Sequence, residues 1–143
     1  MKLSQSGREP DLLFVARKHL GRLKETHLDG PADMVVEIVS PDSVGRDRGD
    51  KFQEYEKAAI SEYWLIDPVR GWVEIYRLGA RGRYVLAFGG EEGTFHSQVI
   101  PGFWLRVEWL WQEPLPPTIR TLAQIAGVDE ALIEAFEQAL GRT

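Results

Sequence analysis

Four side chains near the start of this chain could do chemistry together: the carboxylates of Asp11 and Glu37, the ammonium of Lys51, and the phenol of Tyr55 one helical turn beyond it. Glu37 is the anomaly among them, because it sits in the middle of the apolar run MVVEIV at 34–39. A carboxylate there costs several kcal/mol to bury unless something pairs with it. Two partners stay open, a structural cation such as Lys51 or an arginine, and a metal ion. Strand alternation puts Asp33, Val35, Glu37 and Val39 on one face. Asp33 and Glu37 would then lie about 13 Å apart, too far to share an ion whose ligands sit about 2.0–2.1 Å away. Asp11, on a neighbouring strand candidate, is the better second carboxylate. Two acids hold a hard cation such as Mg²⁺ or Mn²⁺, which polarises a phosphoryl oxygen and acidifies bound water. A lysine then orients that water or balances charge on phosphorus. Such a set hydrolyses a phosphodiester without Cys, Ser or His.

The elements that must position these groups follow from periodicity. Asp11–Ala16 reads as a short strand after Pro10, and residues 1–9 as a loose leader. Residues 17–30 read as a basic, polar loop with at most a helical turn. The strand at Asp33–Val39 ends at Ser40-Pro41, and the polar connector GRDRG (45–49) leads into a helix. From Asp50 to Ile60, Phe52, Tyr55 and Ala59 form one stripe, with Glu54 and Lys57 opposite. Lys51 and Tyr55, one turn apart, can project together toward the sheet. Tyr63–Ile66 is a second apolar strand, and Asp67-Pro68 a turn. The alternating segment Trp72–Leu78 pairs antiparallel with it, and Arg83–Phe88 completes a meander. Residues 94–100 and 103–107 predict a further hairpin around Pro101-Gly102. A helical tail over Thr118–Ala139 breaks at Gly127. The class is α+β: a mixed sheet flanked by helices, in a single domain over 1–143 with 118–143 as a C-terminal helical tail.

Bulk composition excludes several alternatives. The chain has 143 residues, a 43% hydrophobic fraction and no Cys, so disulfides, thiolate metal sites and a cysteine nucleophile are out. No apolar run reaches membrane-spanning length and the N-terminus lacks a signal peptide's hydrophobic stretch, so the chain reads as cytoplasmic. Asn is absent as well; joint loss of two thermolabile types points to a thermophile source. The net charge of −5 argues against indiscriminate polyanion binding. That deficit is concentrated after residue 57: residues 1–57 carry ten Lys/Arg against eleven Asp/Glu, the rest seven against eleven. The half with the candidate residues is close to neutral, so nucleic acid remains compatible with it.

Pro10-Asp11, VVEIVSP at 35–41, KFQEY at 51–55 and EYWLIDP at 62–68, in that order, resemble the Uma-type putative restriction endonuclease family, a large bacterial group with the PD-(D/E)XK nuclease fold. The likeness continues through WVEIYRL to IPGFWLRVEWLW at 100–111 and so covers about residues 9–111. It implies a restriction-endonuclease-like fold, a nuclease activity on nucleic acid (DNA first) and Mg²⁺ or Mn²⁺ as cofactor. By the same likeness Asp11 and Glu37 are the metal carboxylates and Lys51 is the migrated lysine of the motif. Two departures accompany it. Val39 occupies the place of the parent motif's lysine, two residues after Glu37. Only ten residues precede Asp11, where the family usually has a longer region, so a shortened sheet with an open edge and a site lacking a wall are expected. An open edge strand favours pairing with another copy, hence a homodimer. A catalytically inactive dimerisation or DNA-binding module on the same fold is the competing reading.

Simpler roles stand beside the chemical ones. Asp11 could cap amides at the start of a strand, Lys51 could be a solvated helix lysine, and Tyr55 a core aromatic with a satisfied hydroxyl. Asp33 reads as a strand-end acid and Asp67 as turn chemistry. His19, His27 and His96 share no ligand spacing and read as surface residues. The five Trp read as packing, not base-stacking platforms.

Overall fold

A computed structural model of the chain describes residues 1–4, 6–40 and 49–141. The connector anticipated around GRDRG therefore lies, but for Gly49, outside the described residues. Where the sequence predicts one domain, the backbone gathers into two compact units, Met1–Glu91 and Glu92–Thr143.

The first unit is built on a five-stranded mixed sheet of order β1-β2-β3-β4-β5. Its strands are β1 (Leu12–Phe14), β2 (Met34–Ile38), β3 (Glu62–Asp67), β4 (Trp72–Leu78) and β5 (Tyr84–Gly90). Only β2 and β3 run parallel, with Val35 beside Tyr63 and Glu37 beside Leu65. The other pairs are antiparallel. Parallel neighbours need a crossover, and helix α1 (Asp50–Lys57) lies on it. The helix is shorter than periodicity suggests. Lys57 is its last residue, Ala58 its C-cap, and Ala59 turns to a left-handed φ of 58°. Ala59 is consequently exposed and leaves the expected stripe, while Ile60 and Glu56 are buried.

Alternation along β2 and β3 sends Val35, Val39, Tyr63 and Leu65 into a core with Tyr55 and Ile60. Phe52 packs edge-on against Tyr76 and Tyr84, with ring centroids 4.9 and 5.2 Å apart, and Tyr55 meets Tyr63 in the same way at 5.1 Å. These contacts, of the edge-to-face kind that aromatic quadrupoles favour, seat α1 on the sheet. Glu56 adds an anchor that periodicity missed: it accepts from Arg83 Nη1 at 2.7 Å and from the Tyr84 amide at 2.6 Å. Burial pushes the Tyr84 phenol above its ordinary range, and its hydroxyl donates to the Ile60 carbonyl.

The leader expected at 1–9 is not loose. The Lys2 amide donates to Leu28 O at 2.8 Å, Lys2 bridges both Gly7 and Asp29, and Arg8 reaches α1 through Glu54. Residues 17–22 form a 3₁₀ turn within the predicted loop.

In the second unit, β6 (Thr94–His96) and β7 (Trp104–Arg106) make the expected hairpin. Helices α2 (Thr118–Ala126) and α3 (Glu130–Ala139) follow, separated by Gly127 at a left-handed φ of 67°. Asp129 caps α3 by accepting from the Ala131 amide, and Arg120 joins the helices through both oxygens of Glu137. Among the described residues, no helix is long and apolar enough to cross a membrane.

Candidate functional site

Glu37 lies on the α1 side of the sheet, 2% exposed. Its two oxygens are held by two side chains of that helix. Lys51 Nζ donates to Oε2 at 2.8 Å, and the Tyr55 hydroxyl donates to Oε1 at 2.7 Å. The i,i+4 spacing of Lys51 and Tyr55 is what lets one helix face reach both oxygens. Of the partners the sequence left open, the structure contains the cation from Lys51. Tyr55 is fully buried, as a core aromatic should be, and its hydroxyl is satisfied by the same carboxylate.

Asp11 lies in a bend one residue before β1, whose Leu12 sits opposite Val36. Its Oδ2 accepts from the Ile38 amide at 2.7 Å, in keeping with an amide-capping role, and the residue is exposed. Val39, in the place of the motif lysine, is 2% exposed and part of the core.

Do these residues suit a divalent ion? Two carboxylates supply the hard oxygen donors that Mg²⁺ prefers, and waters or phosphate oxygens normally complete its shell. The donor chemistry therefore fits. Among the described residues, no group of three or more His, Cys, Asp or Glu is placed to hold a metal, so any binding rests on this pair.

The N-terminal segment forms much of a cleft that Lys51 also lines. Residues Met1, Lys2, Gly7, Arg8, Glu9, His27 and Lys51 line an open cleft of about 550 Å³. The segment is fastened to α1 on the turn between Lys51 and Tyr55. Arg8 Nε and Nη2 grip Glu54 at 2.7 and 2.5 Å, and Ser6 Oγ adds a third bond at 2.7 Å. A planar guanidinium matched to a carboxylate in this bidentate way is among the stronger polar contacts. Hydrogen bonds from Arg8 and then Ser6 hold the Glu54 carboxyl at about 2, well below its ordinary 4.5. Sequence periodicity placed Glu54 on the face away from the core and could not find this clamp, because 46 residues separate the partners.

The other acids separate cleanly from this site. Asp33 is buried at the start of β2, where Oδ2 accepts from the Ala16 amide at 2.7 Å and Oδ1 lies 2.8 Å from His19 Nδ1. His19 is thus a partner of a buried acid and not a plain surface residue. Asp67 Oδ1 accepts from the Arg70 amide, the turn role expected of it. Glu62, 1% exposed, accepts from Trp64 Nε1 at 3.2 Å and faces Arg77 at 3.5 Å.

A β–α–β crossover whose helix delivers a lysine and a tyrosine to a buried strand carboxylate, with a second carboxylate just before the adjoining strand, defines a class of α+β protein with a polar site on its sheet. Over residues 1–108 the chain matches the Uma2 family, described as putative restriction endonuclease, and it belongs to that family. The match begins at residue 1, so the N-terminal segment lies within the family's common region. A search of curated proteins gives no match.

Proposed function

We propose that the protein is a metal-dependent nuclease of restriction-endonuclease-like fold, hydrolysing phosphodiester bonds of nucleic acid, with DNA the substrate to try first. Family membership supports the class. The observation that carries the site is the convergence of Lys51 Nζ and the Tyr55 hydroxyl on the two oxygens of buried Glu37. Asp11 and Glu37 would hold Mg²⁺ or Mn²⁺. When bound, the cation would polarise a phosphoryl oxygen and acidify a water. Lys51 is the chain's own donor for that water, and its charge offsets negative charge gathering on the phosphoryl oxygens. Tyr55 fixes the rotamer of Glu37 by holding Oε1. A lysine carried by a helix can act in this way whether or not position 39 is a lysine; Val39 instead fills the core beneath.

One observation favours a second reading, the catalytically inactive module: both oxygens of Glu37 are already satisfied by the chain itself. Thermal unfolding with Mg²⁺, Mn²⁺ or EDTA separates the two. An intact metal site predicts a rise in Tm for the wild type that Glu37→Gln and Asp11→Asn lose, together with Mg²⁺-dependent cleavage of DNA. Absence of both in the wild type would leave the inactive module. The three-residue edge strand β1 is our proposed surface for a homodimer, to be read from the mass in solution by light scattering.

A further inference from the structure

The cleft beside Lys51 has a chemistry of its own. Four of its lining residues are basic, Lys2, Arg8, His27 and Lys51, against one acid, Glu9. Arg8 and Lys51 are committed to Glu54 and Glu37. Lys2 and His27 are exposed and, among the described residues, neither has an acidic partner. His27 Nδ1 lies 3.2 Å from Thr26 Oγ1. The Lys2 backbone is bonded to Leu28 O and bridges the exposed acid Asp29, so Lys2 runs alongside the stretch that carries His27, and both line the cleft. Two cationic or donor residues lining one small open cleft are suited to an anionic oxygen group. A volume of about 550 Å³ lies in the range of sites for small ligands, about 300–1,000 Å³. It suits a nucleotide-sized group, not a folded macromolecule.

We propose that this cleft binds a phosphodiester group of the nucleic acid, with Lys2 and His27 as its phosphate-binding residues and Glu9 as an opposing rim charge. The inference rests on the nuclease reading for its ligand and adds a place where the strand is gripped before it reaches the carboxylates. Lys51 links the two, since it lines the cleft and touches Glu37. The ligand could be one strand of a duplex or an unpaired strand, and salt dependence tells them apart. Each neutralised phosphate contributes a slope of about 0.9 in log K against log salt for a duplex and about 0.7 for a single strand.

The test is binding of short labelled single-stranded and duplex DNA to the full chain in EDTA, followed by anisotropy across a salt series. Lys2→Ala and His27→Ala are each expected to weaken binding several-fold, and Glu9→Gln to tighten it. Lys2→Ala should also lower the salt slope by the value for whichever form is bound. Because all three residues are exposed, the variants should unfold at the wild-type temperature. Wild-type affinity and slope in both the Lys2 and His27 variants would overturn the proposal, as would a wild type that binds neither DNA. Binding that depends on Lys2 and His27, without Mg²⁺-dependent cleavage, would sink the nuclease reading and leave the cleft assignment standing. Cleavage with unaltered binding and KM in both variants would do the reverse.

Discussion

One buried acid, Asp33, stands just before strand β2 and another, Glu37, near its far end, and the two are dressed differently. Asp33, at the start, is met by the Ala16 amide and by His19, both from the chain segment just before it. Glu37, near the far end, is met by Lys51 and Tyr55 from the crossover helix. Both carboxylates are buried and both are satisfied, so burial and pairing do not by themselves set the two apart. The distinction is access. The cation on Glu37 also lines an open cleft, and a second carboxylate, Asp11, is bonded to the amide of the next residue, Ile38.

That contrast can be broken in several ways, starting with the largest effect. Glu37→Ala strands the Lys51 ammonium and the Tyr55 hydroxyl; breaking a buried pair this way should cost about 3–5 kcal/mol. Urea unfolding reads the loss, and any Tm response to Mg²⁺ should vanish with it. Tyr55→Phe deletes one hydrogen bond to a charged group, worth about 1.5–3 kcal/mol, while leaving the Lys51 contact. Its cleavage rate should fall if Glu37 must be held in one rotamer. Asp33→Asn keeps an oxygen for the Ala16 amide and puts an NH2 group where Oδ1 met His19, so about 1 kcal/mol is expected, with DNA cleavage at the wild-type rate. Loss of cleavage in that variant would erase the distinction between the two ends of the strand.

The smallest effect is in acid. Glu54 has its folded pKa lowered, so its contact with Arg8 contributes stability that is complete above the ordinary 4.5 and is lost as pH falls toward about 2. Protection of the Lys2 and Arg8 amides, taken as exchange relative to the intrinsic rate at each pH, should therefore fall across that window in the wild type. In Glu54→Gln protection should be lower already at neutral pH and change little with acid.

Much of this layout was legible in the residues. The apolar runs around Glu37 and at Tyr63–Ile66, the alternation at Trp72–Leu78 and the break at Gly127 each carry their period in a few neighbouring letters. The i,i+4 pair Lys51 and Tyr55 needed only helix geometry. What stayed hidden depends on contacts between distant segments. Residues 1–9 have no period of their own and take their shape from Leu28, Asp29 and Glu54. Glu56 reads as a helix-surface acid until β5 brings Arg83 and the Tyr84 amide to it. Ala59 left the stripe because the helix stopped early at a left-handed residue, which an alanine does not announce.

The clamp from Arg8 to Glu54 has a practical corollary for anyone handling the protein. Met1 and Lys2 line the cleft, so any affinity tag or fusion partner joined ahead of Met1 would emerge beside it, where it would crowd a ligand there and, if rich in histidine, gather the very ions used to assay the site. Removing such a tag before any metal or binding assay avoids both effects.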